Sequence, residues 1–569
     1  MSYIEAARGT IKADIVLKNC KMVNVFTSQI ETTDIAIYQE KIIGTGTYSG
    51  EREIDLNGAY VAPGFIDAHV HIESSMLTPL EFSKLIIPKG TTTIIADPHE
   101  IANVSGYNGI KYMIESSNLT PLNILYMIPS CVPASQFETN GAKITDHEVV
   151  KLLKYPTVHG LGEVMDYNGV INSEKEVMRK INVSKDYNID GHAPSLEGND
   201  LNAYITSGVQ TDHECTTVDE MNEKIKRGMY IHLREGSATR NVTTLLGGIT
   251  ESNINRVMFC TDDKHPYDIE VEGHINYNVN LAIKNGLDPI DAIKIATINA
   301  ATCYRLFKKG AIAPGFDADL IVFNKLNDIQ PTKVLINGSI VYEKDKLTFE
   351  ATDKPKKSVL NTVHVTKTDI NFDLQLHSSK ANVIGLIDDN VTTKHLIEEV
   401  VTKDGTYINN PQDDILKIAV IERHTGSNRV QIGLIKGYGL KNGAIGMTIA
   451  HDSHNIIIVG DNDQSMRLVL DDLVKMNGGI AIAQKDRLKS HLTLEIGGLM
   501  TNKSHDCVSK RLLAMEEDAR KMGVHKSISD PFLSLAFMSL SVIPELKITD
   551  KGLFDVIHQK HIPVGIDNL

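Results

Sequence analysis

Between residues 60 and 260 the chain repeats one rhythm eight times: a short apolar run, a polar or glycine-rich loop, then a helical stretch. The runs fall at 60–62, 92–96, 124–128, 158–164, 188–190, 208–210, 229–232 and 257–260. Runs this short and continuously apolar suit strands buried on both faces, and eight of them alternating with helices is the number that closes a parallel barrel. The prediction is an α/β fold with a (β/α)8 TIM-like barrel over residues 61–307. At its end Asp288-Pro289 predicts a helix start, with Asp as N-cap, Pro in the first turn, and Ile290, Ile293 and Ala296 on one face.

The flanks need a different solution. Short strands are predicted at 14–17, 34–38 and 41–43, and again at 318–323 and 333–338. Neither set alone makes a stable sheet, so residues 1–60 are expected to pair with 308–350 in one small composite β domain, with the barrel inserted between them. From 355 to 569 the text becomes strand-rich and punctuated by glycine, as at 418–421 and 456–459, with a helix at 466–476. This predicts a C-terminal α+β domain, reached through a solvated Lys-rich linker at 353–358. A length of 569 residues agrees, since it exceeds what one core supports.

Composition excludes several functions. A net charge of -14 is spread along the chain without a Lys/Arg stripe, which argues against nucleic acid. No run of eighteen apolar residues occurs and the first residues lack a basic-then-apolar pattern, so a cytoplasmic protein without a membrane partner is expected. Cys20, Cys131, Cys215, Cys260, Cys303 and Cys507 form no CxxC pair and read as reduced thiols.

Chemistry gathers just past the predicted strands. His69 and His71 follow the first run, Glu163 lies in the fourth, His192 follows the fifth, His213 the sixth and Asp262 the eighth. Parallel barrel strands converge at their carboxyl ends, so six potential metal ligands from distant positions can meet on one face. The spacing His-x-His places both imidazoles on one side of an extended strand, although such pairs also occur as surface or core histidines. Glu163 is an acid in an apolar strand, costly unless paired; bridging two cations resolves the cost, and a structural ion pair is the alternative. Asp262 is chosen as last ligand and proton carrier, with Asp263 as the competing position.

These residues resemble the metal-dependent amidohydrolase superfamily. The resemblance extends through Pro63-Gly64-Phe65-Ile66-Asp67-Ala68-His69-Val70-His71 and through Ala300-Ala301-Thr302 followed by 310–320. Within it the chain is similar, over nearly its full length, to the bacterial adenine deaminases of the long, three-domain type. The motifs are 71–75, Ala96-Asp97-Pro98-His99-Glu100, 162–166, 190–194, 261–263 and Ala450-His451-Asp452-Ser453-His454-Asn455.

That family implies hydrolysis of adenine to hypoxanthine and ammonia in purine salvage, with two divalent ions, usually manganese or iron, zinc also fitting the ligands. One ion is expected between His69, His71, Glu163 and Asp262, the other between Glu163, His192 and His213, with a bridging hydroxide attacking C6. Glu163 stands where many superfamily members carry a carboxylated Lys. The zinc deaminases marked by H-x-E and P-C-x-x-C are excluded, because no P-C-x-x-C exists here.

A second acid must protonate the ring, with Glu73, Glu100 and Glu235 as open candidates. His99 and His265 are expected to orient substrate or ligands, and His451, Asp452 and His454 to reach the site from the third domain, a polar turn being the alternative. A dimer or tetramer is expected. The rivals are a cyclic amide hydrolase of the dihydroorotase or hydantoinase type and a non-catalytic barrel serving as an assembly module.

Overall fold

The computed structural model describes residues 3–366, 370–387, 390–410 and 412–566, so the extreme ends of the predicted first and third domains lie outside the described residues. Eight parallel strands form the centre: β1 (Phe65–Val70), β2 (Thr91–Ala96), β3 (Asn123–Ile128), β4 (Val158–Val164), β5 (Asn188–Gly191), β6 (Thr211–Asp212), β7 (Tyr230–Arg234) and β8 (Val257–Cys260). β1 to β5 pair in chain order, as do β6 to β8.

A few hydrogen bonds join the two groups. Gln210 donates to the Ile189 carbonyl at 2.9 Å, between β5 and β6. Between β8 and β1, Asp262 N donates to the His69 carbonyl at 2.9 Å and His71 N to the Asp262 carbonyl at 3.2 Å. The seam that closes the curled sheet therefore runs through three predicted ligands.

Two strand assignments differ from the sequence reading. Residues Tyr60–Pro63 form a strand of the small composite sheet, hydrogen-bonded to Ala13–Asn24 and antiparallel to Leu320–Phe323. The first barrel strand begins only at Phe65, after Gly64, where an added Cβ would lie 2.2 Å from Thr92 Oγ1. One apolar stretch thus serves two sheets. The sixth strand lies at Thr211–Asp212 rather than 208–210. Gly208, at φ 113°, ends the preceding turn instead, its N–H donating to the Ile205 carbonyl.

The helix predicted after Asp288 spans Pro289–Ile295, and the Asp288 carboxylate accepts from Ile290 N and Asp291 N. The composite sheet has nine strands among the described residues, and Leu320–Phe323 against Tyr60–Pro63 joins its early and late parts.

Beyond it an eight-stranded sheet carries the helix Asp463–Lys475, whose Met466, Val469, Leu470 and Leu473 are buried against it. That helix starts three residues before the predicted 466, because Asn462 caps it by accepting from Ser465 N. The predicted linker is anchored as well as solvated. Asp353 is buried and accepts from Tyr112 Oη at 2.8 Å and Ser116 Oγ at 2.5 Å, both on the barrel helix His99–Ser117.

Candidate metal centre at the barrel mouth

Each predicted ligand sits at or just past the carboxyl end of a largely buried strand. Gly162, one residue before Glu163, is required by close approach, since a Cβ there would lie 2.0 Å from Asp97 Oδ2. Asp97 uses that nearness to accept from Glu163 N at 3.0 Å. Asp262 has φ 58°, a left-handed conformation that Asp tolerates better than most residues and that marks a turn out of β8.

Glu163 divides its two oxygens. Oε1 lies 2.9 Å from both His69 Nε2 and His71 Nε2, while Oε2 lies 3.0 Å from His192 Nδ1 and 3.8 Å from His213 Nε2. Asp262 Oδ1 is 3.1 Å from His71 Nε2. The nitrogens of His69 and His71 approach to 3.1 Å, and those of His192 and His213 to 3.2 Å.

Hydrogen bonds do not explain this packing. His71 Nδ1 faces the Asp97 carbonyl at 2.9 Å and so donates there. In a neutral ring that leaves a lone pair on Nε2, aimed at two carboxylate oxygens and another imidazole nitrogen. Glu163 Oε1 is buried and receives no hydrogen bond. Several electron-rich atoms converging at about 3 Å match the spacing of ligands that each lie about 2.0–2.2 Å from one ion. The residues present fit divalent cations in two adjoining groups, His69, His71, Glu163 with Asp262, and Glu163 with His192 and His213.

Electrostatics agree. Burial disfavours the imidazolium of His71, but Asp262 and Glu163 override it and hold its pKa well above the usual histidine value. His192 is pushed up to about 9, burial being outweighed by Glu214 and Glu163. His213 goes the other way, held low by burial and by neighbouring His69, so its ring stays neutral as a ligand requires. Burial also opposes ionisation of Asp262, yet Arg234 keeps its carboxyl well below the ordinary range.

Arg234 was not foreseen. Its Nη1 contacts Asp262 Oδ2 and lies 2.5 Å from Glu214 Oε1, leaving Asp262 Oδ1 turned to the histidines. An Arg at the end of a barrel strand, beside the predicted Glu235, was the available signal. Asp97 lies in the stretch Ala96-Asp97-Pro98-His99-Glu100, and its role needed the fold. Asp263, the competing acid, is bonded by Ser74 Oγ and also borders the cavity.

A cavity lies over the centre. His71, His99, Glu100, Glu163, His192, His213, Asp262, His451 and Asp452 all line it. From the third domain Phe537, Leu540, Ile543 and Val391 add an apolar wall that no local pattern announced.

Four predicted residues lie elsewhere. Glu235 is buried beside Arg240, at 3.6 Å, outside the cavity lining. His265 pairs with Asp530 at 2.8 Å, and Glu73 accepts from Ile101 N at 3.2 Å; both border a neighbouring small pocket. His454 borders that pocket too, and its Nε2 meets Glu100 Oε2. Residues 451–454 do form a turn, but a buried one that reaches the barrel rather than solvent.

Barrel, seam and ligand cluster together define an amidohydrolase, a metal-dependent class, and the amidohydrolase family model matches residues 60–341. An adenine deaminase C-terminal domain model matches residues 390–560. The chain is 47% identical to an adenine deaminase of Clostridium acetobutylicum, over 98% of this chain and 99% of that one. It is 44% identical to adenine deaminase 2 of Carboxydothermus hydrogenoformans, over 99% of each, and 44% identical to an adenine deaminase of Kosmotoga olearia, over 100% of this chain and 99% of that one. The chain belongs to the adenine deaminase family.

Proposed function

We propose that the barrel mouth holds two divalent ions, one among His69, His71, Glu163 and Asp262 and one among Glu163, His192 and His213. The reaction is the hydrolytic deamination of adenine to hypoxanthine and ammonia. The observation that carries the site reading is Glu163, a buried carboxylate whose oxygens face two histidine pairs and whose Oε1 lacks a hydrogen bond. Bound divalent ions activate water for attack at neutral pH, by lowering its pKa from 15.7 to about 7.

The chain's own residues do the rest. Asp262, with one oxygen tied by Arg234 and the other facing the centre, takes the proton that remains on the attacking oxygen and passes it to the departing amine. His99 and Asp452 line the cavity beside it, and Phe537, Leu540 and Ile543 supply an apolar face for a flat ring. Manganese or iron is the proposed metal, and zinc suits the same imidazole and carboxylate donors. Among the described residues no helix is long and apolar enough to cross a membrane, and the proposed location is the cytoplasm.

Elemental analysis of the purified chain, paired with ammonia release from adenine, tests this. Near-stoichiometric metal and adenine turnover are expected, and Asp262→Asn should lose about 10²-fold or more in kcat. Protein without metal, or Asp262→Asn at full rate, refutes the assignment. Ammonia-free turnover of a cyclic amide would move the chain to the dihydroorotase or hydantoinase chemistry.

A further inference from the structure

We infer that His451, carried into the barrel mouth by the third domain and braced by Glu100, is the acid that delivers a proton to ring nitrogen N1 of the substrate. The inference rests on the proposed site reading and adds the proton donor that reading leaves unassigned.

The imidazole is clamped on two sides. Its Nδ1 lies 2.9 Å from Glu100 Oε1, and its face stacks on Phe537, with ring centroids 4.7 Å apart and planes at 14°. The ring lines the same cavity as His71, Glu163 and Asp262. Among the described residues nothing hydrogen-bonds Nε2, so that edge is left to meet what enters.

Glu100 is itself positioned. Ala450 N donates to His454 Nδ1 at 3.3 Å, which puts the neutral ring's proton on Nε2, where it is donated to Glu100 Oε2. Glu100 thus holds His454 on one oxygen and His451 on the other, as a carboxylate fixes a catalytic imidazole.

The other candidate acids fit less well. Glu100 is kept ionised, well below the carboxylate range, because His451, His454 and His99 outweigh its burial, and so it has no proton to give. Glu73 and Glu235 do not line the cavity. His451 faces Glu100, Asp263 and Asp452, while His99 meets the same Glu100 oxygen at 3.3 Å and the His454 ring lies edge-on with centroids 5.5 Å apart; burial opposes its charge, but the carboxylates raise it to about 9.

The proton count closes. As water oxygen bonds to C6, the C6–N1 π pair moves to N1, which takes the proton from His451 Nε2. The C6–N6 bond then breaks, C6=O forms, and N6 leaves as ammonia with the oxygen's remaining proton, relayed by Asp262. The proton that water shed before attack returns His451 to imidazolium.

The test uses the full-length, metal-loaded enzyme. His451→Asn keeps a donor toward Glu100 and removes Nε2. A fall in kcat of about 10²-fold or more, KM within about threefold, unchanged metal content and loss of the alkaline limb near pH 9 are expected, with partial rescue by added imidazole. Glu100→Gln, a positioning change, should shift that limb to lower pH with a smaller loss of kcat, and it serves should the Asn variant fold poorly.

Near-wild-type kcat in His451→Asn, or an alkaline limb that Glu100→Gln does not move, overturns the inference. So does a drop in bound metal, which would place an ion rather than an acid at His451. Wild-type enzyme that binds metal and releases ammonia while His451→Asn matches it sinks only this inference; wild-type enzyme doing neither removes the site reading as well.

Discussion

Two buried carboxylates on the barrel strands meet the same cost in opposite ways. Asp212, in β6, has its cation built in: Lys224 Nζ lies 2.9 Å away with both side chains fully buried, and Ala193 N donates to the other oxygen at 2.8 Å. Glu163, in β4, has five imidazoles within 4 Å of it and no fixed cation. The first arrangement is complete as folded. The second has a place for positive charge that the chain does not fill permanently, which is what a metal site needs and a structural ion pair lacks.

Breaking the comparison at its open end should have the largest effect. Glu163→Gln removes the shared charge, so bound metal should fall and adenine turnover drop by about 10³-fold, several kcal/mol at 1.36 kcal/mol per decade. Elemental analysis and an ammonia assay check this. The melting temperature of chelator-treated protein should stay near that of the parent, because Glu163 answers to an ion rather than to the core.

The closed end predicts the reverse. Lys224→Met leaves Asp212 buried without its partner and should cost about 3–5 kcal/mol in denaturant unfolding. Adding Asp212→Asn should restore most of that, since Asn still accepts from Ala193 N. A single variant as stable as the parent would end the contrast.

The linker gives a smaller effect. Asp353→Ala strips acceptors from buried Tyr112 and Ser116 and should cost about 1–3 kcal/mol, read by thermal or denaturant unfolding.

The smallest effect concerns a third solution. Buried Glu422 uses neither ion nor lysine for its charge but hydroxyls and amides: Ser427 Oγ and Thr425 Oγ1 donate at 2.6 Å, and Thr425 N at 2.7 Å. Burial pushes its pKa up, yet these donors bring it down to about 2. Its stabilisation is therefore full above the unfolded value near 4.5 and is lost as pH falls toward about 2. Glu422→Gln should flatten the acid limb of stability between those values and lower the plateau above about pH 4.5. An unaltered acid limb would count against it.

Much of this was legible in the residues. The rhythm of apolar runs predicted the barrel, because strands buried on both faces need no alternation to reveal them. The order His-x-His, Glu, His, His, Asp announced the cluster, since barrel strands bring their ends together whatever the sequence distance.

Other features were not legible, for identifiable reasons. Residues 60–62 read as a barrel strand because a local pattern cannot say which of two sheets an apolar run joins; Gly64 against Thr92 decides it. Glu235 and Arg234 are adjacent acid and base at the end of β7, and the alternation of side chains along the strand, once its neighbours are in place, sets Arg234 on Asp262 and Glu235 beside Arg240. The turn at 451–454 looks polar and solvated, and it becomes part of the barrel mouth through packing of the third domain.

The sequence by itself determined which residue types stand at strand ends, and with them that positive charge must be supplied at Glu163. Tertiary structure decided which oxygen faces which imidazole, that Arg234 takes half of Asp262, and that His451 rather than Glu73 or Glu235 overlooks the cavity. Periodicity records burial, which is a property of a segment; a contact between residues more than three hundred positions apart, such as Glu100 with His451, depends on how whole domains pack.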